Sequence, residues 1–177
     1  MKNKLILTTV LSVFALSGVA NAQTTGSGTL GVTATVVGTL NLTFATDPSG
    51  IAVTGTGTGI ASMPFGNVQM FGGTPAAHVT KTVNGMTSFT LATPFDIRMD
   101  LANTTSATYS LSAALSTADA TNTWSVAGVN ISNGAPFAIT ATGAYATASP
   151  YVFNLTIPAT ETAGLITNTI NFTATSN

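Results

Sequence analysis

The sequence is poor in the residues from which active sites are usually built. It has no cysteine, a single histidine, and only four basic and five acidic residues in 177. Without cysteine there is no disulfide and no thiolate metal ligand, so packing and ladder hydrogen bonds must hold the fold. His78 has no second histidine and no carboxylate at ligand spacing, so neither a hydrolytic triad nor a metal site has its parts. We expect a structural or solvent-exposed role for His78, no metal, no cofactor and no enzymatic activity.

The first 22 residues have the pattern of a secretory signal peptide. Lys2 and Lys4 are followed by a mostly apolar stretch from Leu5 to Val19, and Ala20-Asn21-Ala22 offers small residues at the cleavage position. The apolar stretch is short for a membrane span of about 20 residues and is interrupted by hydroxyl side chains. We therefore expect cleavage before Gln23, no transmembrane span in the mature chain, and export through the periplasm to the cell surface or the medium.

The mature chain is scarcely charged. Cleavage removes Lys2 and Lys4 and leaves Lys81 and Arg98 against the five acidic residues, a net charge of −3. Nucleic acids and anionic membrane surfaces are bound by clustered Lys and Arg side chains. Neither is an expected partner.

Apolar and polar residues alternate with a period of two in several windows, which is typical of half-buried strands. The pattern is strong at residues 30–36, 41–44, 95–101, 109–115, 151–157 and 166–174, and weaker at 79–83, 88–92, 124–131 and 137–142. The mature chain shows no helical period, and the glycine-rich run from Thr54 to Gly59 predicts a loop or bulged edge. These patterns predict an all-β fold. We expect a single immunoglobulin-like β-sandwich of about eight to ten antiparallel strands, formed by residues 39–177 after an N-terminal extension at 23–38.

Three charged residues alternate along one predicted strand. Asp96 and Asp100 share a face with Arg98 between them, and their spacing of about 13 Å is too long for the carboxylate pair of a glycosidase. A surface ion-pair ladder is the simpler interpretation.

Three aromatic residues allow two interpretations: Trp124, Tyr145 and Tyr151. They could form an exposed platform for carbohydrate, or they could anchor the core between two sheets. We favour the core, because a single Trp in a sandwich usually fills the space between its sheets.

Both ends of the mature chain carry a further pattern. A lead of Gly, Ser and Thr precedes the alternating residues Leu30, Val32, Ala34 and Val36, and Gly164, fourteenth from the end, precedes a final alternating strand. These features resemble the chaperone-usher pilins that join by strand donation, and in particular their archaic, spore coat protein U-like branch. That branch has an aromatic residue next to last, where this chain has Ser176.

The resemblance implies a sandwich that lacks one strand, with a hydrophobic groove that the N-terminal segment of the next subunit fills. It implies a secreted structural subunit of a fimbria-like surface filament. Its partners would be identical or related subunits, with a periplasmic chaperone and an outer-membrane usher. The residues expected to take part in assembly are Leu30, Val32, Ala34, Val36, Gly164, Ile166, Ile170 and Phe172.

Two other functions stay open at this point. The N-terminal strand could pair within its own domain, which would give a monomeric secreted binding module for glycans or proteins rather than an open filament. An enzyme would require His78 to lie in a cleft with carboxylates around it.

Overall fold

The computed structural model describes residues 29–55 and 59–177, so the predicted signal peptide lies outside the described residues. The strands are β1 Thr39–Ala45, β2 Thr80–Asn84, β3 Ser88–Ala102, β4 Tyr109–Leu115, β5 Thr123–Val126, β6 Val129–Ile131, β7 Phe137–Gly143, β8 Ala148–Pro158 and β9 Ile170–Ser176. The chain divides after Thr35, and all nine strands lie in the second unit, Val36–Asn177. Within the described ranges there is no helix of the length and apolarity needed to cross a membrane.

The strands form two antiparallel sheets. One has the order β1-β3-β8-β5-β6, with β2 also paired to β3, and the other has the order β7-β4-β9. The predicted all-β antiparallel sandwich is confirmed, and the nine strands fall within the predicted number.

The core follows the alternation of β3, β4 and β8, in which every second side chain is buried. Antiparallel pleating places these side chains on one face of each sheet, where they meet those of the facing sheet. The largest fully buried side chains are Tyr109, Leu91, Ile97, Met99, Leu111, Val126 and Thr93.

The long strand β3 exchanges neighbours at Pro94. Its first part, 88–92, pairs with β2 and its last part, 96–102, pairs with β1, while β8 pairs with it along the other side. The Pro94 carbonyl faces Gly50, where a Cβ would lie only 1.9 Å from the oxygen. The missing N–H of Pro94 therefore falls in the gap between β2 and β1, where no ladder bond is lost.

The structure departs from the predicted strands in four places. Residues 88–92 and 95–101 form one strand, because the partner exchange at Pro94 leaves the β8 ladder continuous. Residues 124–131 form two strands, because Ala127 and Gly128 both have positive φ and make a hairpin turn. Residues 166–169 precede β9, and residues 29–38 are in no strand.

One side of the sandwich is closed by hydrogen bonds. The Leu115 N–H donates to the Ser132 carbonyl over 3.0 Å. The Asn133 side chain donates to the carbonyls of Leu115 and Ser116. This chain segment joins β6 of the larger sheet to β7 of the smaller one, so the two sheets are connected at that edge.

Candidate functional site at the edge between β1 and β9

The opposite side of the sandwich is lined by apolar side chains that are only partly buried. β1 and β9 are the outermost strands there, one in each sheet. Their interior side chains are only half-buried against the core: Leu40, Leu42 and Phe44 on β1, and Ile170, Phe172 and Ala174 on β9. We call these six residues the open groove. Half-buried apolar side chains in a row along two strand edges leave hydrophobic area that a further strand would cover.

The backbone of β9 presents toward the open groove an edge that pairs with no strand of the described chain. At its two ends, Thr169 accepts from the Ser116 N–H and Asn177 donates to the Thr108 carbonyl. Backbone groups alternate sides along a strand, so odd-numbered residues bond to β4 and even-numbered ones face outward. Within the described residues, β4 is the sole strand paired with β9. The N–H and C=O groups of residues 170, 172, 174 and 176 are thus available to a new strand.

The edge of β1 is partly covered. Gly59 donates its N–H to the Leu42 carbonyl over 2.9 Å. The same return loop is held by the reciprocal backbone bonds of Thr54 and Ser62. Of the two strands that border the open groove, β9 therefore offers the more complete ladder edge.

Phe172 occupies the middle of the open groove. Its ring makes an edge-to-face contact with Phe44 at 5.4 Å and a second with Phe95 at 6.1 Å, measured between centroids. Phe95 belongs to β3 and is almost fully buried. The two sheets therefore meet through aromatic contacts at the level of Phe172.

The C-terminal end of β9 is firmly anchored. The Asn177 side chain donates to the Ala141 carbonyl over 2.9 Å, and Ser106 Oγ donates to the Asn177 carbonyl over 2.7 Å. The Tyr145 hydroxyl donates to Thr108 O in the same region. These bonds fix the unpaired edge in position, which pre-organises it for a partner.

The N-terminal residues 29–38, here called the leader, carry exposed apolar side chains without a strand assignment. Leu30 is 90% exposed, Val32 is 83% exposed and Val36 is 71% exposed. Ala34 is also exposed. Side chains of this size are usually covered in a soluble protein.

Neither the open groove nor the leader contains a charged side chain. No ionisable side chain occurs in residues 23–46 or 162–177. A strand entering the groove would therefore desolvate no charged group.

The structure brings together some of the residues expected to act in assembly. Ile170 and Phe172 line the open groove, and Ile166 packs on the core just before β9. Gly164 lies apart from them in an exposed loop, where its nearest heavy atom beyond its neighbours is 3.9 Å from the position of a Cβ. Its conformation does not require glycine, since no positive φ occurs there.

Four of the six residues of the open groove were not predicted from the sequence. Leu40, Leu42 and Phe44 alternate like any core strand, and nothing in that pattern shows that their strand has a free side. Ala174 was predicted to be part of the last strand without being singled out. The absence of charged residues gives no signal either, because β4 to β8 lack them as β1 and β9 do.

The three aromatic residues considered as a carbohydrate platform lie in or against the core. Trp124 is 7% exposed and packs on Phe153, and Tyr151 is buried. Burial raises the pKa of the Tyr151 phenol above its usual value, as does the neighbouring Tyr109 hydroxyl. Tyr145 is partly buried against the same core. These rings do not form an exposed platform.

The three charged residues of β3 make one ion pair instead of a ladder. Arg98 contacts Asp100 at 2.9 Å, and both side chains are substantially exposed, so the pair contributes at most about 1 kcal/mol. Asp96 stands outside it; burial and the charge of Asp47 raise the pKa of Asp96. The His78 ring is exposed. In residues 29–55 and 59–177 no three His, Cys, Asp or Glu side chains come together as metal ligands.

A polar cleft of about 330 Å³ lies between residues 117–122 and 161–168. The carboxylate of Asp119, which lines this cleft, is hydrogen-bonded within the domain. Asp119 accepts from the Trp124 indole at 2.7 Å, from the Asn122 side chain and from the N–H groups of Thr121 and Asn122. Burial would raise the pKa of Asp119, but these hydrogen bonds outweigh it and lower the pKa. Asp119 thus serves as an anchor for Trp124.

No family model, curated protein or solved structure matches the chain.

Proposed function

We propose that this protein is an exported structural subunit that assembles by strand donation, the leader of one copy entering the open groove of the next. The observation that carries the proposal is the coexistence of two complementary halves. One is a sandwich with an unpaired β9 edge and half-buried apolar side chains. The other is an uncharged, alternating segment with its apolar side chains exposed.

The alternation of apolar and polar residues in the leader suits a strand that lies in the open groove. Leu30, Val32, Ala34 and Val36 fall on one face of an extended strand, and the intervening residues are Gly31, Thr33 and Thr35. Inserted against β9, the apolar face would cover the core and the Thr face would meet solvent. Each large side chain that becomes buried stabilises the junction by about 1.5–3 kcal/mol.

Donation between copies gives an open chain of subunits, because the donating and accepting surfaces differ. Export through the periplasm, with a chaperone that covers the groove until assembly, belongs to the same proposal. An exposed apolar edge is otherwise prone to non-specific pairing.

A charge placed on either face of the leader tests the proposal. The double variant Val32→Asp and Val36→Asp carries charge on the inward face; the matched control, Thr33→Asp and Thr35→Asp, carries the same charge on the outward face. Mature chains refolded together would be sized by light scattering and viewed by electron microscopy. We expect filaments or higher oligomers from the unsubstituted chain and the control, and monomers from the inward variant, because a carboxylate in the groove would be buried unpaired.

Two results would contradict strand donation. One is an unsubstituted chain that stays monomeric at high concentration with its leader protected from protease. The other is assembly by the inward variant to the same extent as the control. The first of these would favour a monomeric binding module.

A further inference from the structure

We propose that Asn84 is a site of spontaneous deamidation, at which the side-chain hydroxyl of Thr90 donates the proton that the departing amide nitrogen needs. The modification converts an uncharged residue at the hairpin between β2 and β3 into aspartate or isoaspartate. Water is the one reactant it consumes. It goes beyond the proposed strand donation and does not depend on it.

The dipeptide Asn–Gly favours deamidation, because glycine has no Cβ beside the backbone nitrogen that attacks the asparagine side chain. It occurs twice in the sequence, at Asn84-Gly85 and at Asn133-Gly134. Both asparagines are exposed. Both glycines have a positive φ, and a Cβ built on either would meet no heavy atom within 4 Å. Sequence, exposure and free space therefore do not separate the two sites.

The reaction has a defined balance of bonds and protons. The Gly85 nitrogen bonds to Asn84 Cγ and gives its proton to water. The bond between Cγ and Nδ2 then breaks, and the nitrogen leaves as ammonia after it has taken up a proton. Water opens the resulting succinimide ring at either carbonyl, which leaves aspartate or isoaspartate. A group that donates a proton to the departing nitrogen therefore speeds the reaction.

The two sites differ in the groups that surround the departing nitrogen. Asn84 Nδ2 donates to Thr90 Oγ1 over 2.9 Å and to Ser88 Oγ over 3.3 Å. Asn133 Nδ2 donates instead to the backbone carbonyls of residues 115–116, over 3.3 and 3.0 Å. A carbonyl oxygen can accept but not donate, whereas a hydroxyl that accepts from the amide can turn and donate to the amine that forms from it. Of the two nitrogens, that of Asn84 therefore has proton donors in place.

Thr90 is itself connected to a second hydroxyl. Thr90 Oγ1 and Thr156 Oγ1 lie 2.8 Å apart across the ladder between β3 and β8. Because Phe89 is buried, its neighbours Ser88 and Thr90 lie on the outer face of the sheet. When Thr90 donates to the departing nitrogen, Thr156 can donate to Thr90 in turn, so that the proton is replaced along the row.

The two products affect the hairpin differently. Aspartate keeps the turn, because the hydroxyls of Ser88 and Thr90 can donate to its carboxylate. Isoaspartate adds a methylene to the main chain at Asn84, whose carbonyl accepts from the N–H and the hydroxyl of Thr87 over 3.4 and 3.0 Å. The Thr87 carbonyl accepts from the Ala159 N–H over 2.8 Å, just after β8. Isoaspartate should therefore loosen the contact between this hairpin and the end of β8.

Peptide mapping by mass spectrometry measures the deamidation rate at each site. The folded mature chain is incubated near neutral pH in water enriched in heavy oxygen, which marks every ring that opens. We expect Asn84 to react about tenfold faster than Asn133, a smaller factor than a strong general acid gives. In urea the two sites should react at similar rates, because both asparagines precede glycine. A ratio below about twofold in the folded chain, or an equal ratio in urea, would overturn the proposal.

Substitutions at Thr90 separate proton donation from simple restraint of the amide. Thr90→Val removes the hydroxyl at nearly equal size and should slow deamidation of Asn84 about tenfold, whereas Thr90→Ser keeps a hydroxyl and should retain most of the rate. If the hydrogen bond only restrained the amide, its loss would speed the reaction. A faster or unchanged rate in Thr90→Val would therefore overturn the proposal. Asn133 is the internal control in each variant, and the comparison of the two sites in the unsubstituted chain holds even if Thr90→Val does not fold.

Discussion

Substitution of Gly50 by alanine should destabilise the sandwich strongly, although Gly50 lies in a loop. A Cβ at this position would stand 1.9 Å from the Pro94 carbonyl oxygen and 2.9 Å from its carbon. Both are backbone atoms of the central strand β3, which β8 holds in a continuous ladder. They cannot move aside as a flexible side chain would, so the loop must lift away from β3.

The loop is held where it would have to lift. Ile51 donates its N–H to Thr93 Oγ1 over 2.8 Å, and both residues are buried. Overpacking against backbone costs about 3 kcal/mol, near the upper end of such effects, and strain on this hydrogen bond adds to it. For a chain of this size, about 3 kcal/mol lowers Tm by about 6–12 °C.

Urea unfolding followed by tryptophan fluorescence measures the loss, because Trp124 is the single tryptophan and is 7% exposed. The matched control is Gly164→Ala, whose added methyl meets no heavy atom nearer than 3.9 Å. We expect the control to stay within about 0.5 kcal/mol of the unsubstituted chain. If Gly50→Ala lowered the free energy of unfolding by less than about 1 kcal/mol, the reasoning would be refuted, because the loop would then relax freely.

Four further outcomes are expected. The pKa of Asp119 is lowered in the fold, so its stabilisation is present above the unfolded pKa of about 4 and is lost as pH falls through the folded value; Asp119→Asn should weaken the protein at pH 7 and flatten the acid side of its stability profile. Asp96→Asn should do the reverse, because the pKa of Asp96 is raised and its charge opposes folding above that pKa; equal profiles for both variants in urea titrations across pH would contradict this. Thr93→Val should cost about 2 kcal/mol because it leaves the buried Ile51 N–H unpaired, and Thr93→Ser should largely restore stability. Lys81 Nζ donates to three carbonyls between residues 69 and 73, so Lys81→Met should speed amide exchange and proteolysis there, and unchanged protection would show that the loop does not depend on these bonds.

The sequence predicts which side chains of a strand face the core. It predicts less well which other strands pair with that strand. In Tyr109–Leu115 the predicted and observed limits agree, because alternation of burial alone determines that strand. The break in β3 was predicted wrongly, since a proline inside a central strand is tolerated only where the partner changes, and partner exchange depends on distant residues. β9 begins later than predicted because Asn168 bonds to Thr117 and to the Thr169 N–H, which turns the chain before the ladder starts.

Part of the candidate site could be predicted from the sequence, and the rest depends on how the strands are arranged. The alternation of Leu30 to Val36 and of Ile170 to Ala174 is visible in the sequence, and it led to residues on both sides of the proposed junction. The half-buried state of Leu42 and Phe44 is not visible, because it depends on where the opposite sheet ends. Residues in the two edge strands have the composition of core residues, and only the topology shows that no strand covers them in the described chain.

The long stretch of sequence between β4 and β9 governs when the smaller sheet can form. β4 is the middle strand of its sheet, and Ser110 pairs with Thr175 across 65 positions of sequence. β9 leaves a ribosome or an export channel after β4 and every strand between them, so until then β4 lacks the neighbour on one side. Ladders between distant residues form slowly, and incomplete chains with free strand edges aggregate. The smaller sheet is therefore completed late, and a chain without β9 would leave β4 paired on one side alone.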